Sequence, residues 1–376
     1  MHLYYVANVR MPSEKAHGVA IAKMCESLAK AGATVTLVVP RRELSGEKDL
    51  FSRYGIDQVF TVKTLPTLDL LRFSQSSVAY WFSTLVFYVS VFFLLLAASK
   101  KEALLYTREA PLTCFSFLLP VVLECHHISG NETRYLRFAS RAHKCVVISE
   151  ALKGKFIAGG IPEKKVLLAF SAVDLSTFGL TTPKKEARET LAVAPDAQLV
   201  MYVGNFTTMG ADKGIHHILQ ALVSVPNVHF AGVGGSEQDI AHYRQEADEL
   251  GIGARVQLHG YAPQRTLALW QRAADILLMP FPDSHHYRTN MSPLKMFEYM
   301  ASGRPIIATD LPTIRVALNN HNAVIVPPDD PKSLAREIQR LLDSEADRER
   351  LSSRALEDVR QYSWNERAKR VLAFIF

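Results

Sequence analysis

Short apolar runs alternate with segments of helical periodicity along almost the whole chain, and this alternation predicts two successive βα series. In the first half MHLYYVAN (1–8) reads as a strand and GVAIAKMCESLAK (18–30) as an amphipathic helix. VTLVVP (35–40), VFTVKTL (59–65), LLYTR (104–108), PVVLECH (120–126) and KCVVISE (144–150) continue as strands. Units in this order predict a parallel sheet with helices on both faces. Near residue 178 the texture changes. TTPKKEARETLAVAPDA (181–197) is polar and holds two prolines, which predicts an exposed connection. A second series follows in QLVMYVGN (198–205), VHFAGVG (228–234), RVQLHGY (255–261), DILLMPF (275–281), PIIATD (305–310) and NAVIVPP (322–328). The expected organisation is a Rossmann-like domain over 1–178, a second over 179–358, and a tail, 359–376, forming a helix that packs back on the first.

One stretch tests the soluble reading. VAYWFSTLVFYVSVFFLLLAA (78–98) carries no charge over 21 residues, long enough to span a bilayer. A buried crossover helix is the favoured alternative, because VTLVVP before it and ALLYTR after it both read as strands of one parallel sheet. A third state is a helix whose aromatic outer face dips into a membrane surface without crossing, aided by Arg72, Lys100 and Lys101.

At 376 residues the chain exceeds one ordinary core, and 48% hydrophobic with 21% charged residues is globular rather than disordered. The net charge of +6 is uneven. Residues 1–178 hold 21 Lys+Arg against 14 Asp+Glu, net +7, and residues 179–376 hold 22 against 23, net −1. A basic half suits an anionic membrane surface or a phosphorylated ligand. Without zinc-finger spacing or an aromatic-basic signature, nucleic acid is not an expected partner. The four cysteines, Cys25, Cys114, Cys125 and Cys145, form no CxxC pair. They suit a reducing compartment, and the absence of a basic-then-apolar leader fits a cytoplasmic location.

The segment SPLKMFEYMASGRPIIATD (292–310) carries the most chemistry. Ser292 and Pro293 are placed to open a helix whose first peptide N–H groups lack partners and face an anion. Gly303 ends that helix before the next strand. Its start follows the strand DILLMPF, at the carboxyl side where open α/β sheets bind ligands. Glu298, six residues in, can accept hydrogen bonds from both hydroxyls of a ribose. In the first half, Gly18 sits where the loop after the first strand meets a helix and allows close backbone approach to a phosphate. His126, at the end of PVVLEC, can donate to a sugar hydroxyl or help move a proton, with Glu124 placed to orient it. Arg134, Arg137 and Arg141 form either an acceptor-side basic face or a solvated helix.

These segments closely resemble glycosyltransferase family 4, the retaining enzymes of the GT-B fold, over nearly the whole chain. SPLKMFEYMASGRPIIATD resembles the family's donor-site helix, in the subfamily with an SPLK-type start. YVGNFTTMGADKGIHHILQAL (202–222) resembles its strand, loop and helix with the diphosphate-binding Lys. VQLHGYAPQRTLALWQRAADILLMPF (256–281) resembles its base-binding strand and following unit, and VISEALKGKFIAGGIPEKKVLLAFSAVDLSTF (147–178) its passage toward the second domain. The resemblance implies two Rossmann-like domains facing each other across a donor cleft. It implies Glu298 on the donor ribose, Lys213 on the diphosphate, the backbone at Ser292, Leu294 and Lys295 as a phosphate cradle, and the backbone near Tyr261 on the base. Gly204, Asn205 and Asn290 belong to the same donor site, Gly18 approaches the donor phosphate, and His126 is the active-site histidine. Two positions depart from the pattern. Asn290 stands where many members carry an acid, and Asn205 where many carry an arginine, so Arg288 and Lys295 become candidates for the missing charge.

The implied reaction is retaining transfer, without a metal, from a UDP- or GDP-linked sugar to a hydroxyl acceptor such as a lipid-linked glycan or a cell-surface polysaccharide precursor. No further cofactor is expected. The alternatives are a GT-B nucleotide-sugar epimerase or hydrolase, and a catalytically inactive binding protein.

Overall fold

In the computed structural model the described residues are 2–13, 16–42, 50–69, 76–98, 103–208 and 210–376, and they divide into two units, Met1–Phe170 with Trp364–Phe376, and Ser171–Ser363. Arg72, Lys100 and Lys101 lie outside the described residues.

In the N-terminal unit, β1 (His2–Val6), α1 (Ala16–Lys30), β2 (Thr34–Pro40), α2 (Leu50–Tyr54), β3 (Thr61–Leu65), α3 (Ser77–Ala97), β4 (Ala103–Thr107), β5 (Val121–Cys125), α4 (Glu132–Ala139), β6 (Lys144–Val147), α5 (Glu150–Ala158) and β7 (Val166–Leu168) follow one another. A 3₁₀ segment, Ala110–Phe117, separates β4 from β5. The seven strands form one parallel sheet in the order β3-β2-β1-β4-β5-β6-β7. Strands β4 and β5 are buried at every position, as expected where helices cover both faces. The C-terminal helix, Trp364–Ile375, packs beside α1, and Arg367 reaches Met24 Sδ at 3.1 Å.

The apolar stretch is indeed a crossover helix. Both β3 and β4 pair within the same sheet, so α3 does not carry the chain through a bilayer. The expectation of a buried helix needs correction, because only one side is covered. Ser83, Thr84, Phe87, Val91 and Leu95 are buried at helical spacing, while Trp81, Phe82, Leu85, Phe93 and Leu96 on the opposite side are at least half exposed. Buried polar groups anchor the inner side. Asn8 Nδ2 donates to Thr84 Oγ1 at 3.1 Å, and Thr67 Oγ1 donates to the Ser83 carbonyl at 2.9 Å.

The second unit contains α6 (Leu175–Phe178), α7 (Lys184–Thr190), β8 (Gln198–Val203), β9 (Thr207–Thr208), β10 (Ala211–Asp212), α8 (Ile215–Val223), β11 (Val228–Val233), α9 (Glu237–Glu249), β12 (Val256–His259), α10 (Gln264–Ala273), β13 (Ile276–Met279), α11 (His285–Thr289), α12 (Leu294–Ala301), β14 (Ile306–Thr309), α13 (Pro312–Arg315), β15 (Val324–Val326), α14 (Pro331–Asp343) and α15 (Glu345–Asp358). Six of its strands make a parallel sheet, β12-β11-β8-β13-β14-β15, and β9 with β10 is a small antiparallel ribbon. Strand β8 lies where the order reverses: α8 leads from it to β11 on one side, and β13 flanks it on the other. The carboxyl end of β8 is therefore the crevice at which such sheets take ligands.

The polar segment 181–197 is not an exposed connection. It contributes α7, and Arg188 on that helix is 1% exposed. Its guanidinium donates to the carbonyls of Ala273 at 2.9 Å and Pro195 at 2.6 Å and to Asp275 Oδ2 at 2.8 Å. Asp275 also accepts the Leu199 N–H at 2.8 Å and Lys184 Nζ at 2.8 Å, so one carboxylate fixes α7 against the start of β8. Polar composition concealed this because the arginine's charge is fully met inside the fold. Burial alone would raise the Asp275 carboxyl, but the Leu199 N–H, Lys184 and Arg188 hold it below the usual range. Asp275→Asn leaves a buried guanidinium uncompensated and should cost about 3–5 kcal/mol in denaturant unfolding of the second unit. An unchanged midpoint would show that Arg188 does not depend on this partner.

Candidate functional site

The site in the second unit is assembled by loops at the carboxyl ends of β8, β11, β12 and β13. Gly204 follows β8 with φ +111°, and its N–H donates to the Val233 carbonyl at 2.8 Å. Gly214, with φ +95°, has no room for a side chain, since a Cβ there would lie 1.9 Å from the Pro280 carbonyl oxygen. The intervening β9–β10 ribbon delivers Lys213. Its N–H donates to the Phe206 carbonyl at 3.0 Å, and Asp212 beside it accepts from the N–H groups of Gly214 and Ile215 and from the Tyr243 hydroxyl. The Tyr287 hydroxyl donates to the Asp212 carbonyl at 3.1 Å, so these five hydrogen bonds hold the loop. Tyr261 follows β12 at the same edge of the sheet, exposed.

Helix α12 supplies the other side. Its N-cap is Pro293, which has no side-chain acceptor to offer the first-turn amides. The reading of Ser292 as the cap is corrected: its hydroxyl accepts the Ser171 N–H at 2.8 Å instead. The helix is held against β8 by the Val203 N–H, which donates to the Tyr299 hydroxyl at 2.7 Å.

Lys295, in the first turn, points its ammonium at the end of β8. Nζ lies 3.4 Å from the centre of the Tyr202 ring and 5.6 Å from that of Phe281, and a Cβ on Gly204 would be only 3.1 Å from it. Nζ is buried and has no hydrogen-bond partner. Burial, with Lys213 adding repulsion, pushes its pKa well down, and only Glu298 opposes this. Lys213 is half-buried, which lowers its pKa to about 8. Burial raises Glu298 to about 7 against the pull of Lys295. Two amines and a carboxyl group therefore share the end of β8, with Lys213 and Glu298 both acting on Lys295.

Among the remaining donor-side candidates, Arg288 is committed elsewhere, its Nη1 2.9 Å from both Asp283 oxygens. Lys295 is the one placed to supply charge. Asn290 ends α11, and its N–H donates to the His286 carbonyl at 2.9 Å. Asn205 is exposed, and its carbonyl accepts the Tyr202 hydroxyl at 3.0 Å. The sequence names Lys295 twice, through its backbone in the cradle and as a candidate, with Arg288, for the missing charge. The helical offset from Glu298 by three residues was the available signal that its side chain shares the same face.

The N-terminal unit carries a separate group at the end of β5. Glu124 is fully buried and accepts from Arg108 Nη2 at 2.8 Å, from the Tyr106 hydroxyl and from Arg367 Nη1 at 3.4 Å. His126 Nε2 lies 2.5 Å from Glu124 Oε1, as the orienting role requires. Burial would raise Glu124, but Arg367 and Arg108 hold it well below the carboxylate range. It is therefore ionised, and His126 donates Nε2–H and presents Nδ1 as an acceptor. Burial and Arg108 lower His126 to about 4, keeping the ring neutral near pH 7. Arg108 and Arg367 were missed in the sequence because their positions gave no local signal. Gly18 lies inside α1, and the Tyr54 hydroxyl occupies the space a Cβ would need, at 2.4 Å. That hydroxyl also bonds the Ser13 backbone, so the glycine makes room for the anchor of the loop that precedes α1.

The pair of Rossmann-like parallel-sheet units is the GT-B fold. Residues 197–344 match the family model described as Glycosyl transferases group 1. Over 210 residues the chain is 30% identical to D-inositol 3-phosphate glycosyltransferase of Xylanimonas cellulosilytica, covering 53% of this chain and 48% of that protein. The chain spans about half the length of the curated relatives it matches. Among solved structures, sucrose-phosphate synthase of Thermosynechococcus elongatus aligns with TM-score 0.77 and 18% identity over 99% of this chain and 98% of that one. HepE of Anabaena in complex with UDP aligns with TM-score 0.74 and 17% identity over 99% of each chain.

Since the Lys295 amine is buried without a hydrogen-bond partner, Lys295→Met should raise the Tm of the ligand-free protein by a few degrees. A fall in Tm would mean that the lysine supports the fold.

Proposed function

We propose that this chain transfers a sugar from a nucleoside diphosphate sugar, UDP- or GDP-linked, to a hydroxyl acceptor with retention at the anomeric carbon and without a divalent cation. The observation that carries this reading is the convergence of Lys213, Lys295 and Glu298 on the end of β8 beside the uncapped start of α12. In this scheme the two ammonium groups and the α12 amides receive the diphosphate, and Glu298 accepts from the ribose hydroxyls. The anomeric C–O bond to the diphosphate breaks, the acceptor oxygen bonds to that carbon on the same face, and its proton passes to the departing phosphate. Charge develops on the leaving oxygens, where fixed positive groups act most strongly. His126, neutral and held by Glu124, offers Nδ1 to a sugar hydroxyl. UDP is the first nucleotide to test, because HepE was solved with UDP and with UDP-glucose. We further propose a cytoplasmic enzyme whose acceptor is a lipid-linked glycan or polysaccharide precursor, as the apolar outer side of α3 suggests.

A second reading, a protein that binds donor without turnover, draws support from Asn205 and Asn290, which stand where charged groups occur in the resembling family. Thermal shift with UDP, GDP and their sugars separates the cases. A saturating nucleotide at a hundredfold its Kd stabilises by about 2.7 kcal/mol. Glu298→Ala should abolish most of that shift, and Lys213→Ala should lower turnover by about 10²–10³-fold. Donor-dependent stabilisation without transfer to any hydroxyl acceptor would favour the second reading.

The titrations give a signed expectation. Glu298 accepts from both ribose hydroxyls with both oxygens only when ionised, so UDP affinity should rise as pH increases through about 7. Lys213 must be protonated to meet phosphate, so affinity should fall above about 8. Calorimetric titration with UDP across this range should trace a bell, and Glu298→Gln should remove its acid limb. A flat profile would contradict the roles assigned to both groups.

A further inference from the structure

We propose that the N-terminal unit docks on an anionic lipid bilayer surface through one continuous face, formed by the outer side of α3, the end of the 3₁₀ segment Ala110–Phe117 and the arginines on and after α4. The crossovers β3 to β4, β4 to β5 and β5 to β6 all step in one direction along the sheet, so right-handed connections place α3, the 3₁₀ segment and α4 on the same side. Contacts join them. Phe92 on α3 packs on Phe115 with ring centres 5.7 Å apart, and Arg141 Nη1 lies 3.2 Å from Sγ of Cys114, which is exposed.

The face has two chemistries. Its apolar part comprises Trp81, Phe82, Leu85, Phe93 and Leu96, with Phe117 72% exposed at its edge. No charged residue interrupts α3. A patch of this kind needs a partner. Its basic part is Arg134, Arg137 and Arg141, all exposed on or just beyond α4. The unit as a whole holds 24 Lys+Arg against 14 Asp+Glu, net +10, while the second unit holds 19 against 23, net −4.

An apolar strip bordered by arginines fits a bilayer surface, where side chains enter the acyl boundary and cations meet lipid phosphates. A second copy fits less well, since a twofold contact through this face would set its arginines near their own counterparts. Spanning is excluded because the inner side of α3 is packed on the sheet that contains both flanking strands.

The test is flotation of the full chain with phosphatidylcholine vesicles, with and without about one third phosphatidylglycerol. The wild type should float with the anionic vesicles, and added salt should release it. The double variant Leu85→Ser with Phe93→Ser, at exposed positions and with an unchanged melting curve, should reduce binding to both vesicle types at least tenfold. Replacing Arg134, Arg137 and Arg141 by Gln should remove the preference for anionic lipid, lowering partition by about a hundredfold at roughly fivefold per charge. Equal binding to neutral and anionic vesicles would overturn the proposal. So would absence of binding, resistance to carbonate extraction, or a dimer dissolved by the serine variant. Flotation needs no nucleotide, so its outcome is independent of the donor-binding titration.

Discussion

A lysine amine held out of water without a hydrogen-bond partner is the constraint around which the second unit's site is organised. Lys295 Nζ rests over Tyr202 at the end of β8, and Gly204 leaves the space it occupies. The aromatic ring offsets only part of the lost hydration. Lys213 adds a second positive charge, and the uncapped amides of α12 add a third source of positive potential. All three terms have the same sign. In isolation they oppose one another, and the diphosphate of the proposed donor would reconcile them.

The N-terminal unit handles buried charge in the opposite way. Glu124 is surrounded by Arg108, Arg367, Tyr106 and His126, so its acceptor capacity is filled from within the protein. Such a network rigidifies rather than awaits a ligand. The C-terminal helix takes part: Arg367 also donates to the Phe170 carbonyl at 2.8 Å, so the last helix contributes directly to the setting of His126. An orienter fixed in this way holds one tautomer and leaves one nitrogen free for chemistry.

Both sheets were legible in the sequence because parallel strands are buried on both faces and appear as continuous apolar runs, as in VVLEC of β5 and ILLM of β13. Helices were legible only where their environment is ordinary. Helix α7 was read as a connection because Arg188 is buried with its charge satisfied by groups distant in sequence, Asp275 among them. Helix α3 was read as buried because composition reports apolarity but not whether each side has a neighbour. At the site, Glu298 and Lys213 follow from motif position, whereas Arg108 and Arg367 reach Glu124 only through tertiary packing. Ser292 was taken for a cap because its residue type suits one, and the Ser171 backbone had the stronger claim.

The two asparagines acquire a physical meaning from the same geometry. Where the resembling family places an arginine immediately after the glycine that follows β8, this chain has Asn205, and a fixed cation is lost from that loop. Lys295 brings an ammonium to the adjacent Gly204 from the opposite element, α12, so positive charge at the strand end is supplied by a different part of the fold. The exchange changes the character of the group. An arginine stays protonated at any accessible pH, whereas a buried lysine with a lowered pKa takes up its proton more readily as an anion approaches. With Asn205 in place of arginine, the cationic groups at this strand end are Lys213 and Lys295, and the protonation of Lys295 depends on the ionisation of Glu298.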